Sequence, residues 1–195
     1  MQGDLFGGEA SAAVAWPEGL RLEEAFLSPE EEARLIAIIE SLPLANMKYQ
    51  QFTALRRVVS YGGQYDFSAQ RLNAAAPLPA WLDPVRQRAG AWAGIAPERF
   101  SQALVAEYQP GTPLGWHRDV PDFEDIVGIS LLGDAVMRFR AYPPDAPKKS
   151  DVLRVLLPPR SIYLLRGAAR WGWQHSVAPT KQLRYSITLR TSRER

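Results

Sequence analysis

The chain has 195 residues, of which 46% are hydrophobic and 23% charged, and its 23 basic and 21 acidic side chains leave a formal net charge of only +2; this is the balance of an ordinary soluble domain, long enough to bury a core without staples. It contains no cysteine, which excludes a disulfide framework, a thiolate zinc site, an iron–sulfur cluster and a cysteine nucleophile. No apolar run reaches the roughly 18 residues of a membrane span, and Met1-Gln2-Gly3-Asp4-Leu5-Phe6 lacks the basic and apolar regions of a signal peptide, so the expectation is a cytoplasmic monomer.

Residues 1–20 are rich in Gly, Ala and Glu without a clear period and read as a loosely ordered N-terminal segment, and residues 21–195 read as one domain. Ser28-Pro29-Glu30-Glu31 is a capping-box sequence with Pro at the first helical position, and Leu35, Ile38, Ile39 and Leu42 follow at helical spacing. Residues 43–81 hold Tyr49, Phe52, Tyr61, Tyr65 and Phe67 among Arg56-Arg57 and Gly62-Gly63 without sustained periodicity, which predicts hairpins and loops carrying exposed aromatics. Asp83-Pro84 opens a second helix with Val85, Ala89 and Trp92 on one face and Gly94 as its stop.

From residue 99 onward the pattern changes to short strands at 99–109, 126–133, 135–142, 151–157, 161–166, 171–178 and 183–191, separated by Gly and Pro clusters. Helices followed by about seven strands predict an α+β, mainly β protein whose N-terminal helices brace one sheet of a β-sandwich.

Candidate chemistry begins with the histidines, of which there are two. His117 and Asp119 are two apart, a spacing that in extended chain points both side chains to one face. His175 lies in a predicted strand much later. A His-X-Asp pair completed by a distant His is the two-His-one-carboxylate facial triad of non-haem Fe(II) sites, which leaves coordination positions open for substrates. A single strand histidine is ordinarily a hydrogen-bonded structural residue; here both histidines of the chain occupy the pattern. Since a metal takes neutral imidazole, activity is expected to fall as pH drops through the ordinary histidine range near 6.5. In the last strand, alternation puts Arg184, Ser186, Thr188 and Arg190 on one face and Tyr185, Ile187 and Leu189 on the other. This polar face is either a solvated edge or an inward one, and in the second case the guanidinium groups need anionic partners, such as a dicarboxylate or Asp119.

In these residues the chain resembles the AlkB-like Fe(II)- and 2-oxoglutarate-dependent dioxygenases. The resemblance covers residues 55–191 and rests on Glu107-Tyr108-Gln109-Pro110-Gly111, His117-Arg118-Asp119, Ile129-Ser130-Leu131-Leu132-Gly133, His175 and Arg184-Tyr185-Ser186-Ile187-Thr188-Leu189-Arg190. It implies a double-stranded β-helix, or jelly roll, with His117, Asp119 and His175 ligating Fe(II), and 2-oxoglutarate and O2 as cosubstrates. Arg184 would pair with the far carboxylate of 2-oxoglutarate, helped by the Tyr108 hydroxyl, and Arg190 would lie near Asp119 and the keto-acid end. The implied reaction converts 2-oxoglutarate and O2 to succinate and carbon dioxide while hydroxylating a C–H bond; an N-methyl group so hydroxylated leaves as formaldehyde. Two positions depart from the family's usual asparagines: Ala106 stands two residues before Tyr108, and Ser186, at the edge of the cosubstrate site, stands two after Arg184.

The family acts on DNA, RNA and proteins, so membership does not name the substrate. The resemblance of residues 43–81 to a nucleotide-recognition lid points to alkylated DNA or RNA, with Arg57, Tyr61, Tyr65 and Arg118 as candidate substrate contacts, because a flipped base needs aromatic faces and its phosphates need cations. The same aromatics would serve equally as a small core under the loop. Arg138, Arg140, Lys148, Lys149, Arg166 and Arg170 are candidates to line a groove beside the site, and Trp116, Trp171 and Trp173 to shield the metal. The alternatives are the same chemistry on a protein side chain or small molecule, and a catalytically silent jelly-roll binding module.

Overall fold

The computed structural model describes residues 16–49, 52–66, 71–144 and 151–194. Its first element is a short strand, β1 (Leu20–Glu23), which adds to the edge of a sheet; of the expected N-terminal segment 1–20, residues 1–15 lie outside the described residues. Four residues with weak alternation carry no signal of their own; the pairing partner makes this strand. Helix α1 (Pro29–Glu40) starts at Ser28, whose hydroxyl accepts from the Glu31 N–H while the Glu31 carboxylate accepts from the Ser28 N–H, the reciprocal capping box. Helix α2 (Asp83–Ala93) ends at Gly94, whose φ of 67° is left-handed and open to glycine without steric cost.

Between the helices, β2 (Ala45–Tyr49) and β3 (Phe52–Tyr61) form one hairpin, and β4 (Gly63–Asp66) and β5 (Arg71–Ala74) form a second. The later strands are β6 (Phe100–Tyr108), β7 (Leu114–His117), β8 (Phe123–Leu131), β9 (Ala135–Ala141), β10 (Leu153–Leu157), β11 (Ile162–Leu165), β12 (Trp173–Val177) and β13 (Arg184–Ser192). A five-residue helix, α3 (Gly167–Trp171), interrupts the stretch in which strands 161–166 and 171–178 were expected to follow one another, and Trp171 is its last residue rather than the first of a strand.

The strands assemble into a seven-stranded sheet of order β1-β11-β8-β13-β6-β3-β2 and a four-stranded sheet of order β10-β9-β12-β7. All pairings are antiparallel, and together they make the expected mainly β jelly roll. The large sheet has two unlike faces. Val105, Val127, Ile129, Ile187 and Leu189 point outward and are covered by Leu35, Ile39, Val85 and Ala89 of the two helices. The inner face carries buried polar residues, among them Gln102, Ser130, Arg184, Ser186 and Thr188. A second apolar cluster, built on Phe123, Ile126, Met137, Phe139, Val155, Leu157 and Val177, closes the rest of the space between the sheets. Gly128 of β8 is required by close approach: a Cβ there would fall 2.1 Å from the Tyr163 ring opposite it.

Candidate metal centre

β7 and β12 are neighbours in the small sheet, and their register sets His117 directly opposite His175. The two rings meet edge to face with centroids 4.2 Å apart. The chain leaves β7 in extended form, so Asp119 returns to the same side, and one ligand atom from each of the three residues lies within 4.8 Å of the others. His117 Nδ1 is 2.8 Å from the Gly115 carbonyl; donating its proton there leaves the Nε2 lone pair for a metal. The two Asp119 oxygens are likewise divided. Oδ1 accepts from Arg190 Nε at 2.8 Å and Nη2 at 2.7 Å, whereas Oδ2 stands 3.5 Å from His175 Nε2.

Electrostatics keeps the three groups in their ligating forms. Burial is the main reason that both imidazoles are hard to protonate: His175 is pushed down to about 3, with His117 adding to the effect, and His117 is lowered in spite of the nearby Asp119 charge. Burial works against the Asp119 carboxylate, but Arg190, His175, His117 and Arg170 together hold it well below the usual carboxylate range. Hence the expected loss of function through pH 6.5 is moved lower, because in the fold the histidines stay neutral well below their ordinary titration point.

A polar scaffold fixes this arrangement. Arg190 Nη1 donates to Gln102 Oε1 at 2.8 Å, and Gln102 Nε2 in turn donates to the Gly63 carbonyl at 3.3 Å, so a chain of hydrogen bonds runs from Asp119 to the start of the β4–β5 hairpin. Arg170 of α3 is only 2% exposed and its Nη2 donates to the carbonyls of Asp119, Val120 and Phe123 at 3.1, 2.8 and 2.9 Å. It therefore supports the loop that follows the ligands from inside and does not line a groove. Arg166 is also diverted, into a bidentate pair with Asp125.

Beside the triad lies a second cationic position. Arg184 is 2% exposed, its Nε donates to Ser130 Oγ at 3.0 Å and its guanidinium packs 4.9 Å from the Tyr108 ring centroid. Among the described residues no carboxylate pairs with it, an arrangement costly for an interior guanidinium unless a bound anion completes it. The Tyr108 hydroxyl accepts from Arg56 Nη1 at 3.4 Å; burial opposes ionisation of this phenol, but Arg56 and Arg184 more than offset it. Tyr163 reaches the same interior and is pushed up to about 12 by burial, so it remains a neutral hydroxyl. Ser186 and the small Ala106 are buried cross-strand neighbours on this floor.

The candidate substrate contacts are dispersed. Arg57 forms a bidentate pair with Glu107 at 2.7 and 2.6 Å on the helix-bearing side of the sheet, and Tyr61, four residues on and so on the same face, packs edge to face on Trp81. Strand alternation turns Arg56, not Arg57, toward the site. Arg118 is exposed on the outer side of the small sheet, with its guanidinium 3.7 Å from the Tyr142 ring centroid. The backbone of Tyr65 pairs with Leu72 in the second hairpin; its side chain, like Phe67, Lys148 and Lys149, lies outside the described residues. Nor do the tryptophans form one shield: Trp173 packs in the inter-sheet core, Trp171 donates to Glu124 at 3.0 Å, and Trp116 lies on the outer face beneath Arg138 and Arg140. Gln102 and Tyr163 were not singled out from sequence, and Arg56 and Ser130 stood within quoted segments without a role of their own. The period-two pattern of their strands marks them as sharing a face but does not say which face is inward.

The donor set fits the metal that such a triad takes: two neutral nitrogens and one carboxylate oxygen suit Fe(II), and the uncompensated Arg184 fits the far carboxylate of 2-oxoglutarate. Residues 19–193 match the family model described as 2OG-Fe(II) oxygenase superfamily. The chain is 30% identical over 198 residues to the "Alkylated DNA repair protein ALKBH8 homolog" of Arabidopsis thaliana, covering 90% of this chain and 56% of that protein. It is 28% identical over 173 residues to "tRNA (carboxymethyluridine(34)-5-O)-methyltransferase ALKBH8" of Mus musculus, covering 86% of this chain and 25% of that protein. It thus spans about half or less of these relatives. The solved structure of OsALKBH1 superposes with a TM-score of 0.71 at 15% identity, over 89% of this chain and 98% of that one, a likeness of fold. Two imidazoles and a carboxylate placed to hold a metal, an interior cation without a carboxylate and a match over nearly the whole chain lead to one conclusion: the protein belongs to the 2OG-Fe(II) oxygenase superfamily.

Proposed function

We propose that the protein removes N-linked alkyl groups oxidatively from bases in DNA or RNA, as a cytoplasmic monomer. The observation that carries the chemistry is the combination of the His117–Asp119–His175 cluster, whose histidines lie on the small sheet, with the buried, carboxylate-free Arg184 on the inner face of the large sheet. The substrate class is supported by the names of the relatives, which refer to alkylated DNA and to tRNA.

His117, Asp119 and His175 would hold Fe(II), which supplies the activation of O2 that lets 2-oxoglutarate be oxidised together with the substrate C–H bond. Arg190 keeps one Asp119 oxygen occupied so that the other is presented to the metal. Arg184, Tyr108 and Ser186 bind and orient 2-oxoglutarate at the floor, while the inter-sheet core excludes water behind them. The β4–β5 hairpin within residues 43–81 acts as the nucleotide lid, with Tyr65 as its base-stacking residue. Loss of the hydroxylated methyl group as formaldehyde returns the base with N–H in place of N–CH3.

The test is incubation of methylated single-stranded RNA and DNA oligonucleotides with the Fe(II)-loaded enzyme, 2-oxoglutarate and O2. Mass spectrometry is expected to show loss of one CH2 per methyl group, with succinate formed in equal amount. Gain of one oxygen atom without loss of carbon would assign a stable hydroxylation instead. Succinate formation indifferent to every oligonucleotide would move the substrate to a protein or small molecule.

A further inference from the structure

The outer face of the small sheet plays no part in the chemistry described above, and it gathers several arginines and aromatic rings. Arg138 and Arg140 project from β9, Arg154 from β10 opposite Arg138, Trp116 from the edge strand β7 and Arg118 from the residue just after it. Arg138 and Arg140 lie over the Trp116 ring at 5.3 and 4.5 Å, and Arg118 lies over Tyr142, which is 41% exposed. Their polar partners are neutral: Arg138 Nε donates to Ser176 Oγ at 3.0 Å, Arg140 Nε to Gln174 Oε1 at 2.8 Å and Arg118 Nη1 to the Trp171 carbonyl at 3.0 Å.

Several surface arginines elsewhere are paired with acids, as in Arg57–Glu107, Arg88–Glu31 and Arg160–Glu32. On this face, among the described residues, no carboxylate pairs with any of the four arginines. Within one face of a strand, residues two apart are separated by about 6.8 Å and neighbouring strands by about 4.8 Å, so the guanidinium groups form a flat, closely spaced grid of uncompensated positive charge on aromatic supports. Planar forks of donors match phosphate oxygens, and exposed aromatic faces accept bases regardless of sequence.

From this we infer that the outer face of the β7–β12–β9–β10 sheet is a docking surface for the backbone of a single-stranded nucleic acid. The position of β7 gives the surface a direction. His117 faces inward to the metal centre while its neighbours Trp116 and Arg118 face outward, so a strand held on the outer face has only to turn around this sheet edge to deliver a nucleotide to the site. The inference rests on the nucleic-acid reading above and adds where the strand lies.

Binding is measured without metal or 2-oxoglutarate, by fluorescence anisotropy of labelled oligouridine and oligothymidine over a salt series. The variant Arg138→Gln/Arg140→Gln is expected to bind at least about tenfold more weakly and to lose about 1.4 from the slope of log affinity against log salt, two single-strand phosphate contacts. Arg154→Glu, at an exposed position of β10, is expected to weaken binding in the same direction, and Arg86→Gln, paired with Asp83 on α2, to leave it unchanged. Melting curves equal to wild type show that the variants are folded. The inference is overturned if neither oligonucleotide binds the wild type, if the arginine variants keep its affinity and salt slope, or if polyglutamate displaces the oligonucleotide charge for charge. Absence of base demethylation with oligonucleotide binding intact would instead count against the proposed reaction alone.

Discussion

Arg184 and Arg190 sit six residues apart on one strand, and the structure gives them different work. Arg190 has its carboxylate already, in Asp119, whereas Arg184 is buried against Ser130 and Tyr108 without one. Arg190→Met frees the second Asp119 oxygen to rotate, and metal affinity measured by anaerobic titration is expected to fall about 10- to 100-fold, as for other outer partners of metal ligands. Arg184→Met should leave metal affinity near wild type and raise the KM for 2-oxoglutarate by at least about tenfold, since a charged hydrogen bond contributes roughly 1.5 to 3 kcal/mol. It should not lower the melting temperature of the ligand-free protein, because it removes an interior charge that has no counter-ion. A ligand-free protein markedly destabilised by this change would mean that Arg184 is structural. The alternation that puts both arginines on one face was legible in the sequence; which of the two lacked a partner was not, because that depends on where Asp119 comes to rest.

Among the elements, α1 was the most legible, since its signals are local. Ser28, Pro29 and Glu31 satisfy the first-turn N–H groups with atoms three residues apart, and no tertiary contact is needed for the code to operate. Ser28→Ala is expected to cost about 1 kcal/mol in urea unfolding without changing metal affinity; a loss of metal affinity would show that the helix does more than brace the sheet. β1, β7 and α3 were not legible. Each is five residues or shorter, and each exists because a neighbour supplies hydrogen bonds: β11 for β1, β12 for β7, and the carbonyls of the Asp119 loop for Arg170 of α3. β3 shows a subtler limit. A hairpin was expected somewhere in 43–81 without its register, and whether Arg56 or Arg57 faces the site is set by the pairing of Arg57 with Glu107 on β6.

At the scale of the whole molecule, the buried triad couples pH to stability. The depressed values of His117 and His175 mean that the unfolded chain binds protons near pH 6.5 that the folded chain refuses. Their contribution is fully present above pH 6.5 and is lost as pH falls from there toward the folded value, about 3 for His175. Asp119, also depressed, adds a further loss only below the ordinary carboxylate range. The melting temperature of the metal-free protein is therefore expected to decline from pH 6.5 downward, and His175→Gln should flatten the upper part of that decline. A wild-type profile level from pH 7 to pH 4 would contradict the burial of both imidazoles.

The sequence by itself marked His117, Asp119 and His175 as candidate ligands by residue type, and it determined the polar and apolar faces of the last strand and the capped first helix, because these are matters of periods two and 3.6 along a single segment. It also carried enough of the Tyr108, His117-Arg118-Asp119, His175 and Arg184-to-Arg190 pattern to indicate the family. Only the tertiary structure decided which face of each strand was inward, which arginines were compensated and how far the histidines were held from protonation. Those properties are set by distances between segments remote in the chain: the opposition of His117 and His175, the pair of Arg190 and Asp119, and the stack of Arg138 and Arg140 on Trp116. A period fixes what shares a face, and packing fixes what that face meets.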